Sequence, residues 1–259
     1  MVKKINKIIL MFLMMLLAIY LANESFLIEK RIPSSVQSGY GSGGIIKCEE
    51  YLKSKYGGEV KKLASKSLEL IDIPQNNFKE NVGNCAIVAI TRIMDYYAKN
   101  GYINIETRDP YEFYDIVQEI AVKKHGYDKE KGGIRARDLK KILVDVLKYC
   151  NCDKVLCKQR ITAWNFKRHI KKEIDAKRPV ILCNFINGGW YGGHAMVVCG
   201  YKIYNIRKKV CGIFVNKKYP MIEVYDGWSN KVRYIDYRAY NKEIQRYGST
   251  INFLKETHK

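Results

Sequence analysis

The hydrophobic pattern changes its period once along this chain, near residue 178. Before that point, apolar residues recur at the spacing of one helix face. This pattern predicts four helices, over residues 85–98, 111–122, 136–149 and 164–176. After it, the apolar residues form short runs that end at turn residues. Helices first and strands second are typical of a two-layer α+β domain.

Short strands are predicted throughout the second half, over residues 179–185, 194–201, 210–216, 221–225 and 231–236. Turn residues separate them, among them Gly192-Gly193, Lys217-Lys218 and Asp226-Gly227. Successive short strands at this spacing favour an antiparallel sheet. We therefore expect a helical layer packed on an antiparallel sheet.

The N-terminus has the features of a targeting segment. Lys3, Lys4 and Lys7 precede an uninterrupted apolar run from Ile8 to Ala22. The run is long for a signal peptide and short for a membrane span of about 20 residues. We assign residues 1–24 to a signal peptide or an uncleaved signal-anchor. The remainder is expected to be secreted or membrane-anchored, with its domain outside the cytoplasm.

Residues 25–69 are predicted to be a linker or a short pro-segment. They include Pro33-Ser34-Ser35 and a glycine-rich stretch from Gly39 to Gly44, a composition that is typical of a tether. A helix-like pattern follows over residues 46–72. The compact domain is expected to span residues 70–259.

The chain is strongly basic. Its 46 Lys and Arg against 26 Asp and Glu give a formal net charge of +20. The lysines are scattered, and neither a basic helix nor a nucleic-acid-binding motif organises them, so we expect no nucleic acid partner. An anionic membrane or cell-wall surface stays open as a partner, and so does a purely solubilising role.

Eight cysteines follow the N-terminal segment: Cys48, Cys85, Cys150, Cys152, Cys157, Cys183, Cys199 and Cys211. If Cys85 is a free thiol, seven remain, so at least one more is unpaired. Cys150, Cys152 and Cys157 have neither a CxxC partner pair nor a ligand histidine nearby. This favours a local disulfide or buried thiols there over a zinc site.

Cys85 lies where a helix is predicted to begin. Gly83 can supply a turn, and Asn84 is a favourable N-cap residue. The free N–H groups and the helix dipole at such a position favour a thiolate and can receive an oxyanion. A small buried cysteine near a helix cap is the structural alternative.

His194 is the histidine best placed to serve as a base for this thiol. It follows Gly192-Gly193 and opens an apolar strand, which would hold the imidazole at the end of a sheet. His125 lies in a polar loop, His169 in a basic helical run, and His258 near the C-terminus. A hydrogen-bonded core histidine is the alternative for His194.

Asp226 ends a strand next to Gly227, and a hairpin from the strand of His194 would bring its carboxylate beside the imidazole. There the carboxylate would fix the tautomer and stabilise the imidazolium. A common Asp-Gly turn residue is the alternative. The order cysteine, helices, Gly-His-strand and strand-Asp is more specific than any of its parts.

Three stretches, NVGNCAIVAITRIMDYY, RPVILCNFINGGWYGGHAMVVCGY and VYDGW, together resemble the blocks of papain-like cysteine peptidases of the C39-like type. The resemblance covers about residues 70–240. It implies a papain-like fold with a helical half that bears the nucleophile and an antiparallel sheet that bears the histidine. It also implies that Cys85 is the nucleophile, His194 the general base and acid, and Asp226 the orienting residue.

The chain departs from the pattern of that family at two places. Ala86-Ile87 follow the cysteine where the family usually has a small residue and often proline. The family's oxyanion glutamine lies a few residues before the cysteine, whereas Gln75 is ten residues upstream here. Gln75 is therefore the first oxyanion candidate, with Asn77 or Asn81 as substitutes.

The expected reaction is hydrolysis of a peptide or amide bond through an acyl-enzyme, without a metal or organic cofactor. Trp190, Tyr191 and Trp228 are predicted to line the cleft or to shield the Asp226–His194 pair. Two other functions stay open. One is a peptidoglycan amidase or endopeptidase, and the other is an inactive papain-like domain that binds a peptide or a surface.

Overall fold

The computed structural model describes residues 11, 14–15, 32–78, 83–105, 109–152, 155–161, 165–184, 189–243 and 246–253. The helices are α1 (Cys48–Tyr56), α2 (Cys85–Lys99), α3 (Pro110–His125), α4 (Leu139–Tyr149), α5 (Lys172–Asp175) and α6 (Tyr237–Glu243). The strands are β1 (Glu59–Ser67), β2 (Val155–Ile161), β3 (Val180–Asn184), β4 (Ala195–Val210), β5 (Ile213–Tyr225), β6 (Arg233–Asp236) and β7 (Arg246–Phe253). Short 3₁₀ helices span Gln75–Asn77 and Ala136–Asp138.

The strands form one antiparallel sheet in the order β2-β7-β3-β4-β5-β6, and β1 pairs with the second half of β4. Helices α2, α3 and α4 pack in sequence, and α2 contacts β3 and β4. This arrangement confirms the predicted α+β class, with helices packed on an antiparallel sheet. It is compatible with a papain-like fold.

A long hairpin, β4–β5, forms the longest ladder of the sheet. Its register runs from Val197 opposite Tyr225 to Val210 opposite Ile213, and the turn between them has positive φ at Cys211 (48°) and Gly212 (84°). Two successive positive φ values are typical of a tight hairpin turn that matches strand twist. Because His194 precedes β4 and Asp226 follows β5, the hairpin brings these two residues to the same end of the sheet.

Two predicted elements differ in the structure. From residue 213 onward the predicted strands 210–216 and 221–225 are one strand, β5, because Lys217 and Lys218 continue the ladder opposite Ile206 and Asn205 instead of forming a turn, whereas Val210 ends β4. The predicted helix over 164–176 is a π-helix, Phe166–Lys171, that runs directly into α5.

The segment expected as a linker or pro-segment contributes to the fold wherever it is described. Residues 48–56 form α1 and residues 59–67 form β1, where one helix-like pattern was predicted. Nearly every side chain of β1 is exposed, so backbone pairing with β4 holds the strand in place. For the same reason its sequence lacks the alternation of apolar and polar residues that would predict a strand.

Residues 32–56 cover the second face of the sheet. Ile45, Tyr51 and Leu52 are buried in a cluster with Tyr204, Ile206, Tyr219, Met221 and Tyr234. These strand residues alternate with those that face the helices, which is why one sheet has two apolar faces. The segment is therefore packed instead of extended, despite its tether-like composition.

Helix α2 is buried on all sides from Ala86 to Tyr97. Its apolar stripe packs inward as predicted, but the polar residues that lie off the stripe, Thr91, Arg92 and Asp95, are buried as well. A buried charge must be hydrogen-bonded to be tolerated. Arg92 is the largest such side chain, at 1% exposure.

The Arg92 guanidinium fastens the chain before residue 75 to α2. Its Nε donates to the carbonyl oxygen of Ile71 and a terminal nitrogen donates to that of Ile73, both at 2.9 Å. The Asp72 carboxylate lies 3.6 Å away, and the ring of Tyr225 stacks 4.8 Å from the guanidinium carbon. The contacts fix residues 71–73, and with them the approach of Gln75, relative to the helix that begins at Cys85.

The cysteines are all free thiols in the structure. Of the alternatives for Cys150, Cys152 and Cys157, the structure therefore has thiols and no local disulfide. Within the described ranges no helix is long and apolar enough to cross a bilayer. The predicted signal segment lies outside those ranges except for Met11, Met14 and Met15, which are helical and exposed.

Arg92→Met is expected to lower the free energy of unfolding by about 3 kcal/mol, because it leaves the carbonyls of Ile71 and Ile73 without their charged donor. Urea unfolding followed by circular dichroism measures the change. Lys99→Met on the same helix is the control, since Lys99 is exposed and its ion pair with Asp95 contributes about 1 kcal/mol or less. Equal losses in the two variants would contradict the role of Arg92.

Candidate active site

At the end of the β4–β5 hairpin, two hydrogen bonds from Asn184 hold the backbone at and before His194 in place. Gly193, which precedes it, has φ of 62°, a conformation that favours glycine. The backbone N–H of Asn184, at the end of β3, donates to the His194 carbonyl at 2.9 Å. The Asn184 side chain donates to the Tyr191 carbonyl at 2.9 Å. The loop before His194 is thus fastened to the sheet.

Cys85 lies at the first position of α2, as the sequence predicted, and its thiol faces the start of β4. The backbone N–H of Ala195, the residue after His194, is near enough to the sulfur to lower the pKa of the thiol, as are the N–H groups of Cys85 and Ala86. The structure thus brings the predicted nucleophile to the residue next to the predicted base. Buried Cys183, on the neighbouring strand, is close enough to interact electrostatically with Cys85.

The His194 ring hydrogen-bonds to the backbone of residue 226 and not to its side chain. Its Nε2 lies 2.6 Å from the carbonyl oxygen of Asp226, and this is its single ring hydrogen bond to a described residue. A carbonyl oxygen can only accept, so Nε2 must carry the proton. In the neutral ring, Nδ1 is then the unprotonated, basic nitrogen.

The predicted hydrogen bond between the Asp226 carboxylate and the imidazole is absent, so the carboxylate does not fix the tautomer, but its charge does raise the pKa of His194 and thereby favours the imidazolium, as predicted. One carboxylate oxygen accepts from the N–H groups of Trp228 (3.0 Å) and Ser229 (3.2 Å). The other accepts from the Tyr191 hydroxyl at 3.0 Å. The side chain thus folds the 226–229 turn, which is how its own carbonyl comes to face the imidazole. The position of Asp226 follows from the sequence pattern, whereas a sequence does not distinguish its main-chain contact from a side-chain contact.

Burial sets the protonation of both candidate catalytic groups. It lowers the pKa of His194 to about 4, against the weaker opposing effects of the Asp226 carbonyl and of the Asp226 carboxylate charge. It also raises the pKa of the Cys85 thiol, against the opposing effect of the Ala195 N–H. At neutral pH the pair is therefore an uncharged thiol and an uncharged imidazole, which suits general-base activation of the thiol.

Gln75 lies between the two halves of the site. Its side-chain nitrogen donates to Oδ1 of Asn84 at 3.0 Å, and its backbone N–H donates to the Gly227 carbonyl at 2.8 Å. It therefore contacts the residue before Cys85 and the residue after Asp226. An amide NH₂ has two donors, so one remains for an oxyanion while the other is held by Asn84.

Asn77, the second oxyanion candidate, is not brought to the site. Its side chain donates to the Tyr111 hydroxyl at 2.9 Å, at an exposed position. Asn81 lies outside the described residues. Asn84 does not cap α2 through its side chain, contrary to expectation, because its amide contacts Gln75 and the Tyr114 hydroxyl (3.1 Å) instead.

The three aromatic candidates surround the imidazole in different ways. Trp228 stacks on His194 with ring centres 4.1 Å apart and is 44% exposed, so its ring is accessible from solvent beside the imidazole. Half-buried Trp190 meets Trp228 edge-on at 5.6 Å. Tyr191 is buried behind His194, where it holds the Asp226 carboxylate, so it shields the pair instead of lining the cleft.

The other described histidines are occupied elsewhere. His125 contacts the Asp145 carboxylate at 2.9 Å between α3 and α4, and the His169 ring accepts from the Asn165 backbone N–H at 2.8 Å. His258 lies outside the described residues. In the part of the chain that is described, no group of three His, Cys, Asp or Glu side chains could hold a metal ion.

Sequence reasoning missed Ala195, Asn84 and Arg92 as parts of this site. Ala195 contributes a backbone N–H, which every residue except proline has, so its residue type does not indicate this contribution. The other two act through contacts across the chain, to Gln75 and to residues 71–73. Arg92 had one available signal, because a charged residue inside an otherwise apolar helix is costly unless it has buried partners.

Residues 113–232 match the model of the Peptidase C10 family. The match covers just under half of the chain, and it includes His194 and Asp226 but begins after Cys85. No curated protein matches the chain. The Peptidase C10 match supports a cysteine peptidase, although not the predicted C39-like type.

The buried neutral state of His194 predicts a specific loss of stability in acid. The unfolded chain binds a proton near pH 6.5, whereas folded His194 does so only near pH 4, so stability falls as the pH drops between these values. When the pH is lowered from 7.5 to 4.5, the free energy of unfolding of wild type should fall by about 2.5 kcal/mol more than that of the His194→Gln variant. Urea unfolding measures it, and a pH-independent difference would contradict this account.

Proposed function

We propose that this chain is a thiol peptidase that cleaves peptide bonds through Cys85 and His194. The observation that carries the proposal is the proximity of the Cys85 thiol to the N–H of Ala195, directly after His194. The Peptidase C10 match, which includes His194, supports the same class of enzyme.

In the proposed reaction, Nδ1 of His194 takes the proton of the Cys85 thiol while the sulfur attacks the carbonyl carbon of the scissile bond. The backbone N–H of Cys85 and the side chain of Gln75 stabilise the oxyanion. His194 then gives the proton to the leaving amine, and the acyl group stays on sulfur. Water, deprotonated by His194, releases the acid and restores the thiol.

Residue 226 orients the base through its main chain in this proposal. The Asp226 carbonyl accepts from Nε2–H and keeps Nδ1 basic, while the Asp226 side chain maintains the turn that presents that carbonyl. The imidazolium that forms during the reaction keeps the same hydrogen bond. No metal or organic cofactor takes part in this scheme.

We also propose that the enzyme acts outside the cytoplasm, as a secreted or membrane-anchored protein on peptide or protein substrates. The support is the basic start followed by the apolar run from Ile8 to Ala22. The net charge of +20 suits work near an anionic membrane or cell wall.

Cys85→Ala is expected to reduce cleavage of a mixed peptide library by about 10³-fold or more, because the nucleophile is lost. New peptide ends are counted by mass spectrometry, and the thermal unfolding midpoint confirms that the variant folds. Cys211→Ala, at an exposed turn far along the hairpin, is the matched control.

Normal cleavage by the Cys85→Ala variant would exclude Cys85 as the nucleophile. Absence of cleavage by wild type would favour the inactive binding domain. Release of fragments from purified peptidoglycan, with none from the peptide library, would favour the cell-wall alternative.

Asp226→Asn is expected to lower kcat/KM less than about tenfold, because an amide oxygen can still accept from the N–H groups of the turn. Loss of a carboxylate that fixes the histidine tautomer directly costs about 10⁴-fold in a serine-protease triad. Steady-state kinetics of the variant therefore separates the main-chain role from the side-chain role. A loss near 10⁴-fold in a folded variant would restore the carboxylate as the partner of His194.

A further inference from the structure

A glycine-rich strap, defined as residues 38–44, packs against the loop that leads to His194. A Cβ at Gly39 would lie 2.6 Å from the Trp190 ring, and one at Gly43 would lie 2.7 Å from the Tyr191 ring. Side chains at these two positions would clash with rings, so glycine is what permits the close approach. The Gly44 N–H donates to the Tyr191 hydroxyl at 3.3 Å.

The strap is fixed to the sheet instead of being free to swing. Gln37 forms an antiparallel bridge with Ile45, and Ile45 forms another with Tyr234 on β6. The Gln37 side chain donates to the Gly43 carbonyl at 2.6 Å, and the Ser42 carbonyl accepts from the Asp236 N–H at 2.8 Å. The strap is therefore a built part of the surface beside the candidate active site.

This strap presents one large side chain, Tyr40, that extends the row of rings beside His194. Tyr40 meets Trp190 edge-on at 5.6 Å, Trp190 meets Trp228 edge-on at 5.6 Å, and Trp228 stacks on His194 at 4.1 Å. Tyr40 is 61% exposed and Trp228 is 44% exposed. We name Tyr40, Trp190 and Trp228 the aromatic wall.

The chemistry of the proposed reaction decides which part of a substrate meets this wall. The acyl part of the substrate stays on Cys85, whereas His194 must reach the amine that leaves. The leaving segment therefore departs past the imidazole, and the aromatic wall begins at the imidazole through Trp228. The wall faces residues on the C-terminal side of the scissile bond.

We infer that the aromatic wall, which includes Tyr40, binds the leaving segment of the substrate and selects an aromatic or large apolar side chain there. The inference rests on the proposed function and adds a preference to it. The ring-to-ring path from His194 to Tyr40 is about 15 Å at most, and an extended peptide advances about 3.3 Å per residue. Tyr40 is thus within reach of a side chain no farther than about the fourth residue after the scissile bond.

Two sets of substrates test the inference, each with mixed residues before the scissile bond. The first ends in an aminocoumarin leaving group, which is too short to reach Tyr40. The second is a set of quenched fluorescent peptides that continue for four residues, with either Phe or Ser at each of these positions. The measured quantity is the ratio of kcat/KM for the Phe peptides to kcat/KM for the aminocoumarin amides.

In Tyr40→Ala this ratio is expected to fall about threefold to tenfold, since an aromatic ring pair contributes that much beyond its buried area. Tyr40→Phe, which keeps the ring, should retain the wild-type ratio. Tyr149→Ala is the matched control, because Tyr149 is an exposed tyrosine on α4 with a similar exposed fraction.

If Tyr40→Ala leaves the ratio of the two kcat/KM values unchanged, the inference is overturned. This includes the case in which a loosened strap lowers cleavage of both substrate sets equally. Equal cleavage of Phe and Ser peptides by wild type would also overturn it, while leaving the peptidase itself intact. Failure of wild type to cleave either set would overturn the proposed function and the preference together.

Discussion

The register of the β4–β5 hairpin is the constraint on which the candidate site depends. Val197 pairs with Tyr225, so the residues just before β4 and just after β5 must meet. This pairing allows the His194 ring to reach the Asp226 carbonyl at 2.6 Å across 32 residues of chain. A shift of the register by one residue would turn the side chains to the opposite faces of the sheet and separate the two groups.

The second element of the site is a helix end that no side chain caps. Asn84 leaves the first N–H groups of α2 uncapped because its amide contacts Gln75 and Tyr114, and the N–H groups of Cys85 and Ala86 lie near the Cys85 sulfur. Arg92, about two turns further along the helix, holds residues 71–73 against the same helix. Uncapped N–H groups next to a positioned amide are what an oxyanion requires, so under the proposed function the polar contacts around α2 would serve the chemistry as well as the packing.

The sequence was informative where a residue type and its local pattern decide the structure. The lone cysteine at a predicted helix start and the histidine after two glycines both occupy the predicted elements. Asp226 also lies at the predicted strand end, but its hydrogen bond to the His194 ring is made by a carbonyl that every residue possesses. Only the resemblance to a family favoured Gln75 over Asn77 as the oxyanion residue. The contacts that distinguish the two residues join Gln75 to a residue nine positions away and Asn77 to a residue 34 positions away, so no local pattern indicates them.

The N-terminal segment shows why the rest could not be predicted. Its glycines have the composition of a tether, yet at Gly39 and Gly43 they permit contact with two aromatic rings. Strand β1 carries almost no buried side chain and exists because β4 offers an unpaired edge. In both cases the determining partner lies more than 100 residues away, so a local pattern contains no trace of it.

The central claim is that His194 activates the thiol of Cys85, and iodoacetamide labelling at pH 7 tests it most directly. The labelling rates of Cys85 and of exposed Cys211 are measured in the same molecule by mass spectrometry. The account predicts that His194→Ala slows labelling of Cys85 by about 10²-fold, the lower end of general-base assistance, and leaves Cys211 unchanged. Labelling of Cys85 at the same rate with and without His194 would contradict it.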